Sequence, residues 1–313
     1  MMKEVARIDG RGANALQGAV VWSPAKSLWN STMLAVALIA GPLNITISAV
    51  VLFVVSTYIS LLLGHSVGMH RRFIHRSYEC SKWLERTLVY IGVLVGVAGP
   101  FGILRIHDAR DWAQRQPECH DFFAHRRSPF VDVFWQLNCA FRYSRPPRFT
   151  LEPEFARDPW YRFLERTWML HQIPVGLALF YAGGWSWVVW GVAARVSASV
   201  VGHWSITYWC HNPGPGDWRV AGASVQASNI PGLGLLTYGE CWHNNHHAFP
   251  ESARMGLEAG QADPGWWVLK QFAKAGWVTS IGEPRPESER DDLEYTGAAG
   301  RAFAADAAAH TSS

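Results

Sequence analysis

The sequence predicts an all-α integral membrane protein with four transmembrane helices arranged as two hairpins. Charged residues make up only 17% of the 313 residues, below the roughly 25% typical of soluble domains. They nearly vanish from Met33 to His65 and again from His171 to Arg195, and a bilayer requires about 20 apolar residues per helix. The 17 tryptophans favour anchoring at a membrane interface.

The remaining bulk properties exclude several other classes of protein. A hydrophobic content of 49% and glycines without a fixed period exclude a disordered or collagen-like chain. The five cysteines are scattered and form no CxxC pair, which excludes a disulfide scaffold. The net charge of +3 is too small to indicate a nucleic-acid partner.

The first hairpin follows a polar leader at residues 1–26, which we expect to lie at the surface. The apolar stretch 28–63 is too long for one span, and Gly41-Pro42 divides it because proline breaks the helical hydrogen-bond ladder. The predicted spans are 28–42 and 44–64. The next apolar run, 88–104, is at the lower limit for spanning, and we expect it to lie along the interface or to re-enter.

The second hairpin is predicted from spans at 169–183 and 185–207, separated by Gly183-Gly184. These elements form one membrane domain, residues 27–277, and the tail at 278–313 is predicted to be disordered. Four crossings place all histidine-bearing segments in one compartment. Arginines directly after the second span indicate that this compartment is the cytoplasm.

Histidines are concentrated in polar segments that flank the apolar runs. On an α-helix, His70 and His75 would lie about 140° apart, so they could flank a metal pair but not share one narrow stripe. His65 is expected to be an ordinary histidine. In the HNNHH segment, His243, His246 and His247 leave one helix face together. Neutral imidazole is the commonest metal ligand, so this segment predicts a metal site.

Three further residues are candidates for the same site. His107 and Asp111 have i, i+4 spacing, so both can reach one metal, although Asp111 could instead pair with Arg110 or Arg115. The helix before His211 delivers that residue to the same membrane face. Few cysteines, no HExxH and many histidines with a carboxylate favour iron. There are more imidazoles than one metal accepts, which predicts two metals.

Two segments, GHSVGMHRRFIHRSYE and GECWHNNHHAFP, resemble the first and third histidine boxes of the membrane fatty acid desaturases, specifically the acyl-CoA (delta-9, stearoyl-CoA-like) branch. The resemblance covers roughly residues 28–277. It implies four spanning helices with a cytosolic helical cap that holds a di-iron centre. It also implies the use of dioxygen and two external electrons to insert a double bond into an acyl chain. The positions that match family ligands are His70, His75, His107, His211, His243, His246 and His247.

The second histidine box departs from the family pattern HRxHH. Arg110 and Asp111 stand where the family has two histidines, and Asp111 can still ligate iron whereas Arg110 cannot. Thr207 replaces a family asparagine that holds a metal-bound water. The candidates for extra metal or water ligands are therefore His120, His125, His203 and Thr207.

The sequence leaves three functions open: an acyl desaturase, a lipid hydroxylase or ketolase with the same oxidant, and a catalytically degenerate lipid-binding relative. Arg71, Arg72 and Arg105 are candidates for holding an anionic head group such as the phosphates of CoA, although attraction to anionic lipid heads explains them equally well. The expected partners are an acyl-CoA or other acyl lipid and a separate electron donor of ferredoxin or cytochrome b5 type.

Overall fold

A computed structural model describes residues 5–285 and 290–297, and most of them are helical. The helices are α1 (Pro24–Leu43), α2 (Ile47–Ile59), α3 (Lys82–Leu94), α4 (Pro100–Gln114), α5 (Asp121–Ala124), α6 (Pro129–Asn138), α7 (Pro153–Ala156), α8 (Pro159–Thr167), α9 (Gln172–Val188), α10 (Arg195–Cys210), α11 (His243–Ala248) and α12 (Pro264–Lys274). Two π-helical segments are continuous with them: Ser60–Ile74 extends α2, and Val189–Ala194 joins α9 to α10.

Within residues 5–285 and 290–297, two continuous helical runs are long and apolar enough to cross a membrane. They are Ile47–Ile74, with 28 residues, and Gln172–Cys210, with 39 residues. Only 17% of the most apolar window of each run is buried, whereas the core helix of a soluble protein would be mostly buried. Large apolar side chains such as Ile47 and Ile173 instead point outward, as expected for contact with lipid.

Gly184 interrupts the longer run. Its φ of 67° and ψ of −161° are not helical, and glycine adopts a positive φ without steric penalty. The interruption lies where the predicted spans 169–183 and 185–207 meet. The chain therefore has a backbone break at the glycine pair that the sequence indicated.

The apolar run 88–104, predicted to lie along the interface or to re-enter, is not one continuous helix. It belongs to two helices, because α3 ends at Leu94 and α4 begins at Pro100. None of its residues is exposed. The π-helical segment packs closely against α3: a Cβ on Gly68 would lie 2.7 Å from the backbone oxygen of Leu88. The run is therefore buried or half-buried against the rest of the protein, and its position at the membrane interface stays a prediction.

The prediction of an all-α chain is incomplete, because the described part of the chain also contains four two-stranded antiparallel ribbons. The strands are β1 (Ile8–Asp9), β2 (Gly18–Trp22), β3 (Tyr78–Cys80), β4 (Cys139–Tyr143), β5 (Arg148–Phe149), β6 (Trp218–Val220), β7 (Val278–Ile281) and β8 (Leu293–Tyr295). The pairs are β1 with β5, β2 with β4, β3 with β7, and β6 with β8. Strands of two to five residues are too short to give a clear alternating pattern.

The ribbons also change the interpretation of both ends of the chain. The predicted leader contributes β1 and β2, and the predicted disordered tail contributes β7 and β8. The prediction of disorder is therefore wrong for these two tail strands, while residues 286–289 and 298–313 lie outside the described residues. Arg7 in the leader is 4% exposed and donates hydrogen bonds to Glu152 (2.8 Å) and to the carbonyl of Ile74 (2.9 Å). The leader is thus packed against the first histidine-bearing segment.

Candidate metal centre

Seven buried or half-buried imidazoles meet in two clusters. Within each cluster, one nitrogen of every ring lies within 4.8 Å of the others. The four-imidazole cluster consists of His70, His75, His107 and His246. The three-imidazole cluster consists of His211, His243 and His247. All seven rings were predicted from the sequence as metal-site residues.

The π-helical segment brings His70 and His75 together. The backbone N–H of His75 donates to the carbonyl of His70 at 3.0 Å, which is the i→i+5 bond of a π-helix. Residues five apart therefore lie on the same side of adjacent turns, and the two ring centroids are 4.9 Å apart. The expected separation of 140° is wrong because it assumed α-helical geometry.

His65 belongs to the same stripe, five residues earlier. Its ring stacks at 6.3 Å from that of His70 and meets the ring of His203 at 4.7 Å. The five-residue spacing of His65, His70 and His75 was the sequence signal for this arrangement, and α-helical reasoning missed it.

The HNNHH segment forms α11 and supplies both clusters. His243 and His247, one turn apart, enter the three-imidazole cluster with their Nε2 atoms 3.2 Å apart. His246 points to the other side and joins the four-imidazole cluster, where its ring centroid lies 4.4 Å from that of His75. The intervening Asn244 accepts hydrogen bonds from the N–H groups of Asp217 (2.9 Å) and Trp218 (3.0 Å). This anchors the short helix.

His107 and His211 complete the clusters from α4 and from the end of α10. The Nε2 of His107 lies 3.2 Å from the Nε2 of both His70 and His75. His211 donates from Nδ1 to the carbonyl of Thr207 at 2.7 Å, which leaves its Nε2 3.4 Å from that of His247. The hydrogen bond fixes the tautomer that presents Nε2 to the cluster.

Glu240 is a residue that sequence reasoning missed. Its Oε2 lies 2.6 Å from the Nδ1 of His70, and its Oε1 accepts a hydrogen bond from Ser66 at 2.5 Å. A carboxylate behind a metal-ligating imidazole orients the ring and raises its basicity. Its location three residues before His243 was the only sequence signal.

Asp111 lies outside both clusters. Its Oδ2 is 3.7 Å from the Nδ1 of His107, the nitrogen that faces away from the four-imidazole cluster. Its Oδ1 is buried without a hydrogen-bond partner and lies 3.7 Å from the Nε of Arg110. Asp111, predicted to be a metal ligand, thus lies outside both groups of convergent ligand atoms, and its alternative contact with Arg110 is present at long range.

The proposed extra ligands also lie outside the clusters. His120 accepts a hydrogen bond from the N–H of Phe122 at 3.1 Å and so caps α5. The Nδ1 of His125 lies 3.0 Å from Asp132, and the ring of His203 faces His65. The hydroxyl of Thr207 donates to the carbonyl of His203 at 2.9 Å.

Two of the three predicted head-group arginines are internal. Arg71 is 1% exposed and pairs with Asp263 at 2.8 Å. Arg72 pairs with the buried Glu85 at 2.7 Å. These two arginines form buried ion pairs inside the protein and do not face a substrate head group. Arg105, in contrast, is exposed, and its guanidinium lies 5.4 Å from the ring centroid of Phe149.

An apolar cavity of about 490 Å³ leads to the clusters. His70, His107 and His243 contribute to its wall. Aliphatic side chains form much of the rest, and they include Leu61, Ile74, Ile103, Ile206 and Leu233. The rim contains the exposed side chains of Ile106, Trp209 and Leu236. A long apolar molecule can therefore reach the imidazoles.

The imidazoles are held in the form that binds metal. Burial, followed by the positive charge of Arg110, lowers the pKa of His243 to about 4. Burial also lowers the pKa of His246 and His247 well below the usual value. Both ring nitrogens of His246 and the Nδ1 of His243 are buried without hydrogen-bond partners. Neutral, buried and unpartnered nitrogens that converge at two points fit two metal ions.

The sequence of this chain is similar to those of known fatty acid desaturases. The family described as "Fatty acid desaturase" matches residues 45–279. The sn-1 stearoyl-lipid 9-desaturase of Anabaena variabilis is 35% identical over 243 residues, which are 77% of this chain and 86% of the relative. The Delta-9 acyl-lipid desaturase 2 of Arabidopsis thaliana is 33% identical over 236 residues, or 73% of each chain. The acyl-CoA 5-desaturase AL21 of Anemone leveillei is 30% identical over 277 residues, or 84% of each chain.

These matches confirm the resemblance that the two histidine boxes indicated. They cover both imidazole clusters and the elements that position them. Desaturases are oxidoreductases, and the apolar cavity that ends at the imidazoles suits an acyl chain. The chain belongs to the fatty acid desaturase family and is a fatty acyl desaturase.

Proposed function

We propose that the two clusters hold a di-iron centre that desaturates an acyl chain bound in the cavity. The observation that carries this proposal is the convergence of seven imidazoles, at two points, on the wall of an apolar cavity. When bound, the irons would supply the activation of dioxygen that removal of hydrogen from an unactivated methylene requires. The two C–H bonds that break supply two electrons and two protons, and a separate donor supplies two more electrons with two protons from solvent, which together reduce dioxygen to two waters.

The residues of the chain contribute binding and orientation. The aliphatic wall of the cavity would hold the acyl chain and exclude water, and the depth of the chain would select the carbons that react. Glu240 and the carbonyl of Thr207 hold His70 and His211 by their Nδ1 atoms. The ring nitrogens that face the centre thus have fixed directions before any metal binds.

The proposed topology has four membrane spans in two hairpins. α1 and the run Ile47–Ile74 form the first hairpin, and the two parts of Gln172–Cys210 on either side of Gly184 form the second. The remaining helices and the ribbons would then form a cap around the imidazoles. Arginines that follow the run Ile47–Ile74 favour a cytoplasmic cap.

We propose an acyl chain of a membrane lipid as the substrate. Arg71 and Arg72, expected to hold the phosphates of CoA, are internal ion pairs. The cavity rim is apolar, with Trp209 and Leu236 exposed, so a lipid chain could enter it from the bilayer. Two of the relatives described above are named for acyl-lipid substrates. An acyl-CoA substrate is the second candidate, because the Anemone relative is named for one.

The electron donor is proposed to be a separate protein of ferredoxin or cytochrome b5 type. Such a donor would dock on the proposed cytoplasmic cap. The purified enzyme should therefore turn over only when a donor of one of these types is supplied together with its reductase.

Expression in a host that makes no unsaturated lipids tests the proposed reaction. New monoenes should appear in the fatty acid profile and should disappear in His246→Ala. His171→Ala is the matched control, because His171 lies outside both clusters and contacts Thr167. A folded wild-type protein that contains two irons, receives electrons and still yields no monoene would refute the proposal.

The substrate carrier is tested with the purified enzyme in liposomes. Isotopically labelled stearoyl chains are supplied either in phosphatidylcholine or as stearoyl-CoA. We expect the double bond in the intact lipid. Conversion of the CoA ester alone would refute the lipid substrate and favour the second candidate.

A further inference from the structure

The two clusters offer unequal sets of ligands. One presents four imidazoles and the other three. No fourth histidine, cysteine or carboxylate among the described residues lies within the same distance of the three-imidazole cluster. Three protein ligands leave a metal with an open coordination position, whereas four close a tetrahedral site.

A cation stands beside the smaller cluster. Arg110 lines the cavity together with His243 of the smaller cluster and with His70 and His107 of the larger one. Its Nη1 lies 3.4 Å from the hydroxyl of Thr207, the residue whose carbonyl accepts the hydrogen bond of His211. A guanidinium cannot donate a lone pair to a metal, and it repels one.

The supporting contacts are also unequal. In the four-imidazole cluster, the carboxylate of Glu240 lies 2.6 Å from His70, and that of Asp108 lies 3.4 Å from His107. In the three-imidazole cluster, His211 is held by the neutral carbonyl of Thr207 at 2.7 Å. Carboxylates behind the ligands strengthen metal binding, typically by 10–100-fold.

We propose that the two metal sites of this chain are inequivalent: the four-imidazole cluster is the tight site, and Arg110 makes the three-imidazole cluster a weak site with an open coordination position. This inference rests on the proposed metal centre. It concerns the affinities of the sites, so metal binding tests it without turnover.

The test is equilibrium dialysis of the purified full chain against Zn²⁺, with bound metal measured by mass spectrometry. We expect two binding steps with dissociation constants at least tenfold apart. His75→Ala should weaken the tight step, and His211→Ala should weaken only the weak step. Two equal steps in the wild type would overturn the proposal.

Variants at Arg110 test whether its charge causes the weak binding at the three-imidazole cluster. Arg110→Gln removes the charge, and Arg110→His also adds an imidazole. The first should tighten the weak step severalfold and the second at least tenfold. The tight step should remain in both variants and so reports that they are folded. Arg162→Gln and Arg162→His, at an exposed position of α8, are matched controls and should change neither step.

Three further results would overturn the proposal. The first is an unchanged weak step in both Arg110 variants. The second is a tenfold loss at the weak step in Asp111→Asn, because Asp111 would then complete that site. The third applies if the wild type binds only one Zn²⁺ per chain: the Arg110→His variant should then bind a second Zn²⁺, and failure to bind it would overturn the proposal. Two unequal steps without any monoene product would refute the proposed function and leave this inference standing.

Discussion

Glu240 provides a sharp test of how the four-imidazole cluster is organised. Its Oε2 lies 2.6 Å from the Nδ1 of His70, and this contact directs the opposite nitrogen towards His107, at 3.2 Å between the Nε2 atoms. Glu240→Ala removes both the charge and the acceptor. Glu240→Gln keeps an acceptor and removes only the charge.

The loss of such a partner lowers metal affinity by about 10–100-fold, or about 1.4–2.8 kcal/mol. We expect Glu240→Gln to lie near the lower value, because its amide oxygen can still accept from His70, and Glu240→Ala near the upper value. The assay is equilibrium dialysis of the purified protein against Zn²⁺, and the measured quantity is the dissociation constant of the tight step.

Glu154→Gln is the matched control. Glu154 also contacts a positively charged side chain, Arg76, at 2.8 Å, but its own side chain is 56% exposed. It should leave Zn²⁺ affinity within twofold of the wild type. The reasoning would be refuted if Glu240→Ala bound Zn²⁺ as tightly as Glu154→Gln while retaining wild-type thermal stability.

Three further predictions concern the cavity, the core and acid stability. Gly202 lines the cavity, and a Cβ there would meet no atom within 4 Å; Gly202→Leu should fold and shift the product profile to shorter chains, and unchanged chain lengths would contradict the assigned cavity. Asp263→Asn breaks the buried pair with Arg71 and should cost about 3–5 kcal/mol, measured as a large fall in Tm; a fall no greater than in Glu154→Gln would contradict it. Burial lowers the pKa of His120, so the unfolded chain takes up its proton first and stability falls as the pH drops below about 6.5. His120→Asn keeps a capping acceptor and should reduce this pH dependence of Tm; an unchanged slope would exclude His120 as a contributor.

The sequence by itself determined the apolar runs and the chemistry of the candidate site. Runs of about 20 apolar residues and a glycine pair are local features, so the long apolar helical run Gln172–Cys210 and its break at Gly184 could be predicted from them. The spacing of His243, His246 and His247 is also local. It predicted that all three rings leave one helix face, and this is wrong: the structure places His246 in the four-imidazole cluster and His243 and His247 in the three-imidazole cluster.

Only the tertiary structure decided how the imidazoles divide and what supports them. His70 and His75 meet because the helix widens into π turns. The widened segment packs closely against α3, and the hydrophobic periodicity of the sequence gave no sign of it. Glu240, far along the chain from His70, became its partner, while Arg71 became an internal ion pair. Contacts between distant segments depend on the packing of whole elements, and no local pattern of residues encodes that packing.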